Sequence, residues 1–246
     1  MIKLKIYLPF ILFALFHFFG IAQNSGIPIS NMGKDSNRLQ GKLTGEVYYL
    51  SPISNTNYFL QKDWREGSIT LKDGDVFENI RMRYMAFGDE LVAYNANNHS
   101  LFVVDKYTVK EFIFYSSVET GGKTQLKFIN LDSLHLLFNR TYFQELYSGT
   151  SKLLCFHQIE QEKVSPYIGA GGKMFDVEFR LKTMYFILSK EKGISKIQIK
   201  NRSLYSFYPE HKKEIKKLLR KNRINIIDES SAIQAVETLD SAGFFK

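Results

Sequence analysis

Ser68-Ile69-Thr70-Leu71-Lys72 alternates polar and apolar positions, the two-residue period of a strand with one buried face. Asp73-Gly74 follows, and both residue types tolerate the positive φ of a tight hairpin turn. Val76-Phe77 then resumes the apolar face, and Ile80–Tyr84 alternates again. Leu91–Tyr94, Leu101–Val104 and Phe112–Tyr115 predict further strands, separated by Gly88-Asp89-Glu90, Asn95–His99 and Asp105-Lys106. Turn signals at intervals of about eight to twelve residues predict an antiparallel meander. Thr44–Leu50 reads as the first strand, and Gln125–Asn130 and Tyr142–Tyr147 continue the pattern. Leu134–Phe138 fits a strand or a helical turn. Lys152–Gln161 and Phe175–Leu181 read as strands flanking a loop over Ser165–Gly172. Met184–Ser189, the turn Lys192-Gly193 and Ile194–Lys200 read as a hairpin.

The period changes only near the end of the chain. Pro209 suits a first helical position, where its missing N–H costs nothing. Glu210–Arg220 follows, with Ile215, Leu218 and Leu219 on one stripe and a stop at Asn222. Ser231 with Gln234 fits a capping box opening a second helix, with Ile233, Val236 and Leu239 on one face and Gly243 ending it. The predicted fold is α+β: mainly antiparallel β-sheet with two C-terminal helices packed on it. A break at Gly149-Thr150-Ser151 divides it into 43–148, an antiparallel β domain, and 149–246, hairpins plus helices. One continuous domain fits equally well.

The first 22 residues do not belong to this pattern. Lys3 and Lys5 precede an apolar run from Ile6 to Phe19, and Gly20-Ile21-Ala22 supplies small residues where a signal peptidase cuts. The reading is a signal peptide over 1–22, cleaved after Ala22, with an uncleaved anchor as the bland alternative. No cysteine stands at the cleavage site, which excludes a lipoprotein. Residues 23–42 are polar and rich in Asn, Ser and Gly, as in a flexible leader. No later segment is long and apolar enough to cross a bilayer. The expected location is periplasmic or extracellular.

Charge sharpens the picture more than composition does. The whole chain carries 33 Lys+Arg against 25 Asp+Glu, a formal +8. Without Lys3 and Lys5 it is +6, while Lys190–Arg223 alone holds twelve basic and three acidic residues, a net +9. The rest of the mature chain is therefore slightly acidic, at −3. At 100° per residue, Lys212, Lys216, Arg220 and Arg223 share one arc that Lys213, Lys217 and Lys221 continue, opposite the apolar stripe. This face is the candidate contact for a polyanion or a partner protein. The bland reading is a solvated helix whose lysine stems shield the sheet.

Trp64-x-x-Gly67, Ile69-x-Leu71-x-Asp73-Gly74 and Ile80-x-Met82-Arg83-Tyr84 together resemble a family of exported, β-rich proteins of Bacteroidota. That family's run is a strand, an Asp-Gly turn and a strand ending in Leu-Arg-Tyr-Asn; here Met85 stands at the Asn position. The later order of aromatic hairpin, Lys-rich helix and terminal helix is similar as well. The resemblance implies a bacterial cell envelope and brings no established activity with it.

Other chemistry is thin. The single cysteine, Cys155, excludes an internal disulfide and a Cys-rich metal site. His99, His135, His157 and His211 are too dispersed to predict a metal, and no cofactor is expected. Gly121-Gly122-Lys123-Thr124 imitates the end of a phosphate loop, but Ser117 replaces its first glycine and a strand pattern follows, so a hairpin turn is the reading. Cys155 and His157 share a strand face, as a nucleophile pair or as a buried small residue beside a histidine. No Gly-x-Ser-x-Gly elbow is present, and Glu160 and Glu162 read as a solvated pair. Trp64 reads as the end of a β core rather than a stacking platform. Export and the lack of a recognised motif rank nucleic acid last as a partner. The expected function is a non-catalytic envelope protein that binds a partner or polyanion. A β module for an apolar or glycan ligand, and a hydrolase with an unrecognised site, are the alternatives.

Overall fold

The computed structural model describes residues 42–49, 55–96, 99–115, 125–131, 140–169 and 171–245. The expected signal peptide, the leader up to residue 41, the Gly121–Thr124 turn and Leu134–Phe138 lie outside them. Eleven strands form one antiparallel sheet: β1 (Gly45–Val47), β2 (Arg65–Leu71), β3 (Val76–Met85), β4 (Glu90–Asn95), β5 (Ser100–Val104) and β6 (Val109–Phe114) come first. β7 (Leu126–Leu131), β8 (Thr141–Ser148), β9 (Lys152–Gly169), β10 (Gly172–Ser189) and β11 (Gly193–Ile197) complete it. Three short helices, α1 (Asn201–Phe207), α2 (Lys212–Lys221) and α3 (Glu229–Ser241), end the described chain. The fold is therefore α+β, as the sequence predicts.

Strand order departs from a plain meander. It runs β1-β5-β4-β3-β2-β6-β7-β8-β9-β10-β11, so β6 pairs with β2 and not with β5. In a flat sheet β5 and β6 would lie four strand spacings apart, about 19 Å. The link between them is only Asp105–Thr108, and Thr108 N–H donates to Asp105 O at 3.1 Å, closing it into a tight turn. A link that short fits only if the sheet curls. A second contact draws the curl tighter: Ile159 N–H on β9 donates to Ala86 O just past β3, at 3.1 Å.

Inside the curl lies an aromatic core. Phe112 stacks on Phe128 with ring centres 4.8 Å apart, and Tyr142 meets Phe112 edge-on at 5.0 Å. Tyr84 sits 5.0 Å from Phe128, and all four side chains are fully buried. Gly67 has no room for a side chain, because a Cβ there would sit 1.9 Å from Ile113 O. The Asp73-Gly74 turn forms as expected, with Gly74 at φ 96°. Val76–Phe77 and Ile80–Tyr84 belong to one strand interrupted by a bulge, where Asn79 takes a left-handed φ of 57° and the register to β2 shifts.

The helices cover the other end of the same sheet face. Leu153 and Ile187 from the sheet meet Leu204, Ile215, Leu219, Val236 and Leu239 from the helices in one buried cluster. α3 is tied down at both ends. Tyr185 Oη donates to Glu229 at 3.1 Å, and Asp240 accepts from Tyr147 Oη at 2.9 Å and from Thr150 N–H at 2.8 Å. Gly149–Ser151 is thus the turn between paired strands β8 and β9, pinned under a helix.

Several boundaries differ from expectation. β11 ends at Ile197, short of the expected Lys200, and Asn201–Phe207, for which the sequence predicts no element, is helical, because seven residues are too few to display a 3.6-residue period. Pro209–His211 forms a 3-10 turn, and α2 starts only at Lys212. The capping box of α3 is set by Asp228 at the N-cap and Ser231 at N3, one turn before the Ser231–Gln234 pairing read from the sequence. Gly243 ends α3 as expected, at φ 78°, with Gly243 N–H donating to Asp240 O and Phe244 N–H to Leu239 O.

Candidate anion-binding face

α2 is short, and its orientation follows from three side chains. Ile215 and Leu219 are buried and Leu218 half-buried against the helical cluster, so the remaining arc must face water. Lys212, Lys213, Lys216, Lys217, Arg220 and Lys221 occupy that arc, and all are exposed. None of the six, nor Arg223, makes an ion pair or side-chain hydrogen bond with any described residue. Glu214, the one acidic residue of α2, is engaged instead by His211 Nδ1 at 3.0 Å. The six cations therefore form an uncompensated stripe, with successive rungs about 6 Å apart along the axis.

Arg223 joins this stripe by a different route from the one expected. The helix ends at Lys221 with Asn222 as its cap, and Arg223 lies beyond it at φ 56°. Arg223 N–H donates to Arg220 O at 3.0 Å and Ile224 N–H to Leu219 O at 2.9 Å, the Schellman pattern in which glycine is the usual residue. Arg220 and Lys221 face the negative end of the helix dipole, which favours them. Lys212 and Lys213 sit at the positive end, which disfavours cations. Helix stability alone therefore does not account for lysines there.

The rest of the basic stretch does other things. Lys192 Nζ donates to Phe207 O at 2.7 Å, lies 3.8 Å above the Tyr208 ring, and stands 3.6 Å from Glu210. It is a structural tie between the β10–β11 turn and the link from α1 to α2.

Cys155 and His157 do come together, with Sγ 3.4 Å from Nε2, but in the core. His157 Nε2 is 2.6 Å from Gln144 Oε1, which can only accept, so the imidazole carries its proton on Nε2 and donates there. Burial lowers the His157 pKa to about 4 and raises that of the Cys155 thiol. A nucleophile pair needs the opposite shifts. No carboxylate hydrogen-bonds His157 among the described residues, and the cluster reads as a satisfied core group. Glu160 and Glu162 are not a free acid pair: Lys182 engages the first, and Arg180 the second at 3.1 Å.

A second polar cluster ties the β3–β4 turn to the β5–β6 turn. Asp89, in the β3–β4 turn, accepts from Tyr84 Oη at 2.7 Å and from Lys106 Nζ at 2.5 Å. Burial raises the Asp89 pKa, with Lys106 opposing. Beside it a cleft of about 440 Å3 is lined by Glu46, Glu90, Asp105 and Tyr107 among others. No three His, Cys, Asp or Glu side chains among the described residues are placed to hold a metal ion. Trp64 is half-buried against the cluster of Phe59, Met85 and Val92, on the outer sheet face.

No helix among the described residues is long and apolar enough to cross a membrane. Comparison with protein-family models, with curated proteins and with solved structures gives no match, so the chemistry of this face rests on its own residues.

Proposed function

We propose that this is a non-catalytic, exported cell-envelope protein that binds an anionic polymer through α2. The observation that carries the reading is the stripe of Lys212, Lys213, Lys216, Lys217, Arg220 and Lys221, extended by Arg223. All are exposed, and none is neutralised by another described residue. The apolar side of the same helix packs into the core through Ile215 and Leu219, with Leu218 half-buried beside them, so the cationic side is what α2 offers to another molecule. Attraction of this kind is long-ranged, weakly selective and screened by salt.

The test uses inorganic polyphosphate and dextran sulfate as probes. Raising salt from about 0.1 to 1 M shortens the Debye length from about 10 to 3 Å and abolishes binding. The triple variant Lys212→Glu, Lys216→Glu, Arg220→Glu loses binding at the lower salt while keeping its circular dichroism spectrum. Binding that survives both changes overturns the proposal. Failure of the unaltered protein to bind either probe, with capture of an acidic protein through the same stripe, would transfer the site to a protein partner.

A further inference from the structure

The longest strands of the sheet do not end where the sheet ends. β8 pairs with β9 only as far as Cys155, and β11 pairs with β10 only from Tyr185 onward. Beyond them Glu160–Gly169 and Gly172–Lys182 pair only with each other, a two-stranded arm about 30 Å long. The sequence reads this region as a loop over Ser165–Gly172. The strands instead continue to Gly169 and Gly172, and Pro166 is accommodated where the register shifts by a bulge.

The stem of the arm has two unlike faces. Cross-strand partners put Ile159 with Leu181, Gln161 with Phe179 and Lys163 with Val177 on one side. The other side carries Glu160, Glu162, Glu178, Arg180 and Lys182, joined by the Arg180–Glu162, Arg180–Glu178 and Lys182–Glu160 ion pairs. Phe179 is covered by Tyr58 and Phe87 at the base. On either side of it that cover stops: Leu181, nearer the sheet, is 50% exposed, and Val177, nearer the tip, is 40% exposed. At the tip the division disappears. Tyr167 and Met174 on one face are 45% and 44% exposed, and Ile168 on the other is 91% exposed.

Two features decide what covers this tip. The four exposed side chains from Val177 to the tip amount to little more than two whole ones, about 400 Å2 at roughly 150–250 Å2 for each large side chain. A stable protein interface needs about 800 Å2 per partner, and it covers one face of a ribbon, not both. A second copy of the chain is therefore poorly matched to it. The second feature is charge: from Glu160 to Lys182 four acidic and four basic residues cancel, and the stem holds both signs side by side. A neutral, mixed-sign collar behind a tip of Tyr167, Met174 and Ile168, with Lys173 paired to Ile168 in the register, matches a zwitterionic headgroup layer above hydrocarbon.

We infer that the tip of the β9–β10 arm inserts into the interfacial layer of a lipid bilayer. Insertion is shallow, because both outer edges of the ribbon carry backbone groups that need water or headgroups as partners. The inference stands apart from the polyanion reading. Leu153, beside the helices, and Ile168 lie fifteen residues apart on one strand, up to about 50 Å.

The experiment places an environment-sensitive NBD label on Ile168→Cys in the full chain. Cys155 is fully buried and stays unlabelled in the native protein. A label on Val76→Cys, at the far end of β3, serves as control. With phosphatidylcholine vesicles the Ile168→Cys emission rises severalfold and is quenched by a lipid-borne spin label, while the control does not change. The response persists at about 1 M salt, which separates it from any attraction through α2. Tyr167→Asp and Met174→Asp, introduced together, abolish it without altering the circular dichroism spectrum. An unchanged tip label overturns the inference, even if vesicles are bound by another part of the chain. So does an emission rise that follows protein concentration without vesicles, which would assign the tip to a second copy.

Discussion

Arg83 is the perturbation most worth working through. It is 6% exposed and lies on the outer face of β3, with no carboxylate hydrogen-bonded to it among the described residues. Its guanidinium stacks 3.9 Å from the Phe59 ring centre and 5.8 Å from Trp64, and its Nη2 and Nε donate to Gln61 O at 2.9 and 3.3 Å. Burial lowers its pKa, with Asp63 opposing, yet a guanidinium stays charged at neutral pH. One side chain thus fastens the 59–64 segment to the sheet. Arg83→Lys keeps the charge but loses the planar stack and one of the two donations. A desolvated cation–π contact contributes about 2 kcal/mol and a hydrogen bond from a charged donor about 1.5 kcal/mol, while the smaller ammonium recovers part of this by rehydration. The expected net loss is about 2 kcal/mol. With a urea m-value of about 3 kcal/mol/M, the midpoint falls by about 0.7 M. Trp64 is the only tryptophan in the chain and sits in the same cluster, so its fluorescence reports this segment directly. Its emission should shift to the red in Arg83→Lys before the far-ultraviolet signal of the sheet is lost. An unchanged midpoint together with unchanged Trp64 emission would refute the reasoning.

Three further outcomes follow from particular residues. Arg223→Gly relieves a left-handed φ of 56° and should raise stability by about 1 kcal/mol, a melting increase of about 2–4 °C, while weakening polyanion binding. His157 protonates at about 4 in the folded state and at about 6.5 unfolded, so the unfolded chain gains a proton first as pH falls. Stability should therefore drop by about 3 kcal/mol between pH 6.5 and 4 relative to His157→Gln, measured by urea midpoints, and parallel pH profiles would contradict the buried neutral imidazole. Cys155 should not react with a thiol reagent in the native protein and should react fully once denatured, since burial disfavours its thiolate. Rapid modification of the native thiol would show that the core opens around it.

The parts of this protein that were legible in the sequence are those set by neighbours along the chain. Alternation at Ser68–Lys72 and Ile80–Tyr84 fixes which side chains share a face, because successive residues of a strand must point oppositely. Gly74 and Gly243 fix a turn and a helix end, because each takes a positive φ that costs glycine little. The gathering of positive charge into Lys190–Arg223 is likewise visible by counting, and the apolar stripe of Ile215, Leu218 and Leu219 already says which way those lysines face.

Strand order, by contrast, belongs to the tertiary structure. Any alternating strand can offer its edge to any other, and only closure of the curl, through a turn at Asp105–Thr108, sets β6 beside β2. The same holds for Cys155 and His157: their shared face is a local fact, but whether it lines a cleft or a core depends on what the rolled sheet brings over it. The arm was hidden for a related reason. Ser165-Pro166-Tyr167-Ile168-Gly169 carries loop chemistry, and its extension into a ribbon rests on cross-strand pairing with Gly172–Phe175. Sequence alone therefore determined faces, turns and the segregation of charge, which are short-range consequences of backbone geometry and composition. Which faces are covered, and which cations and apolar tips are left uncovered, was decided only when distant strands closed on one another.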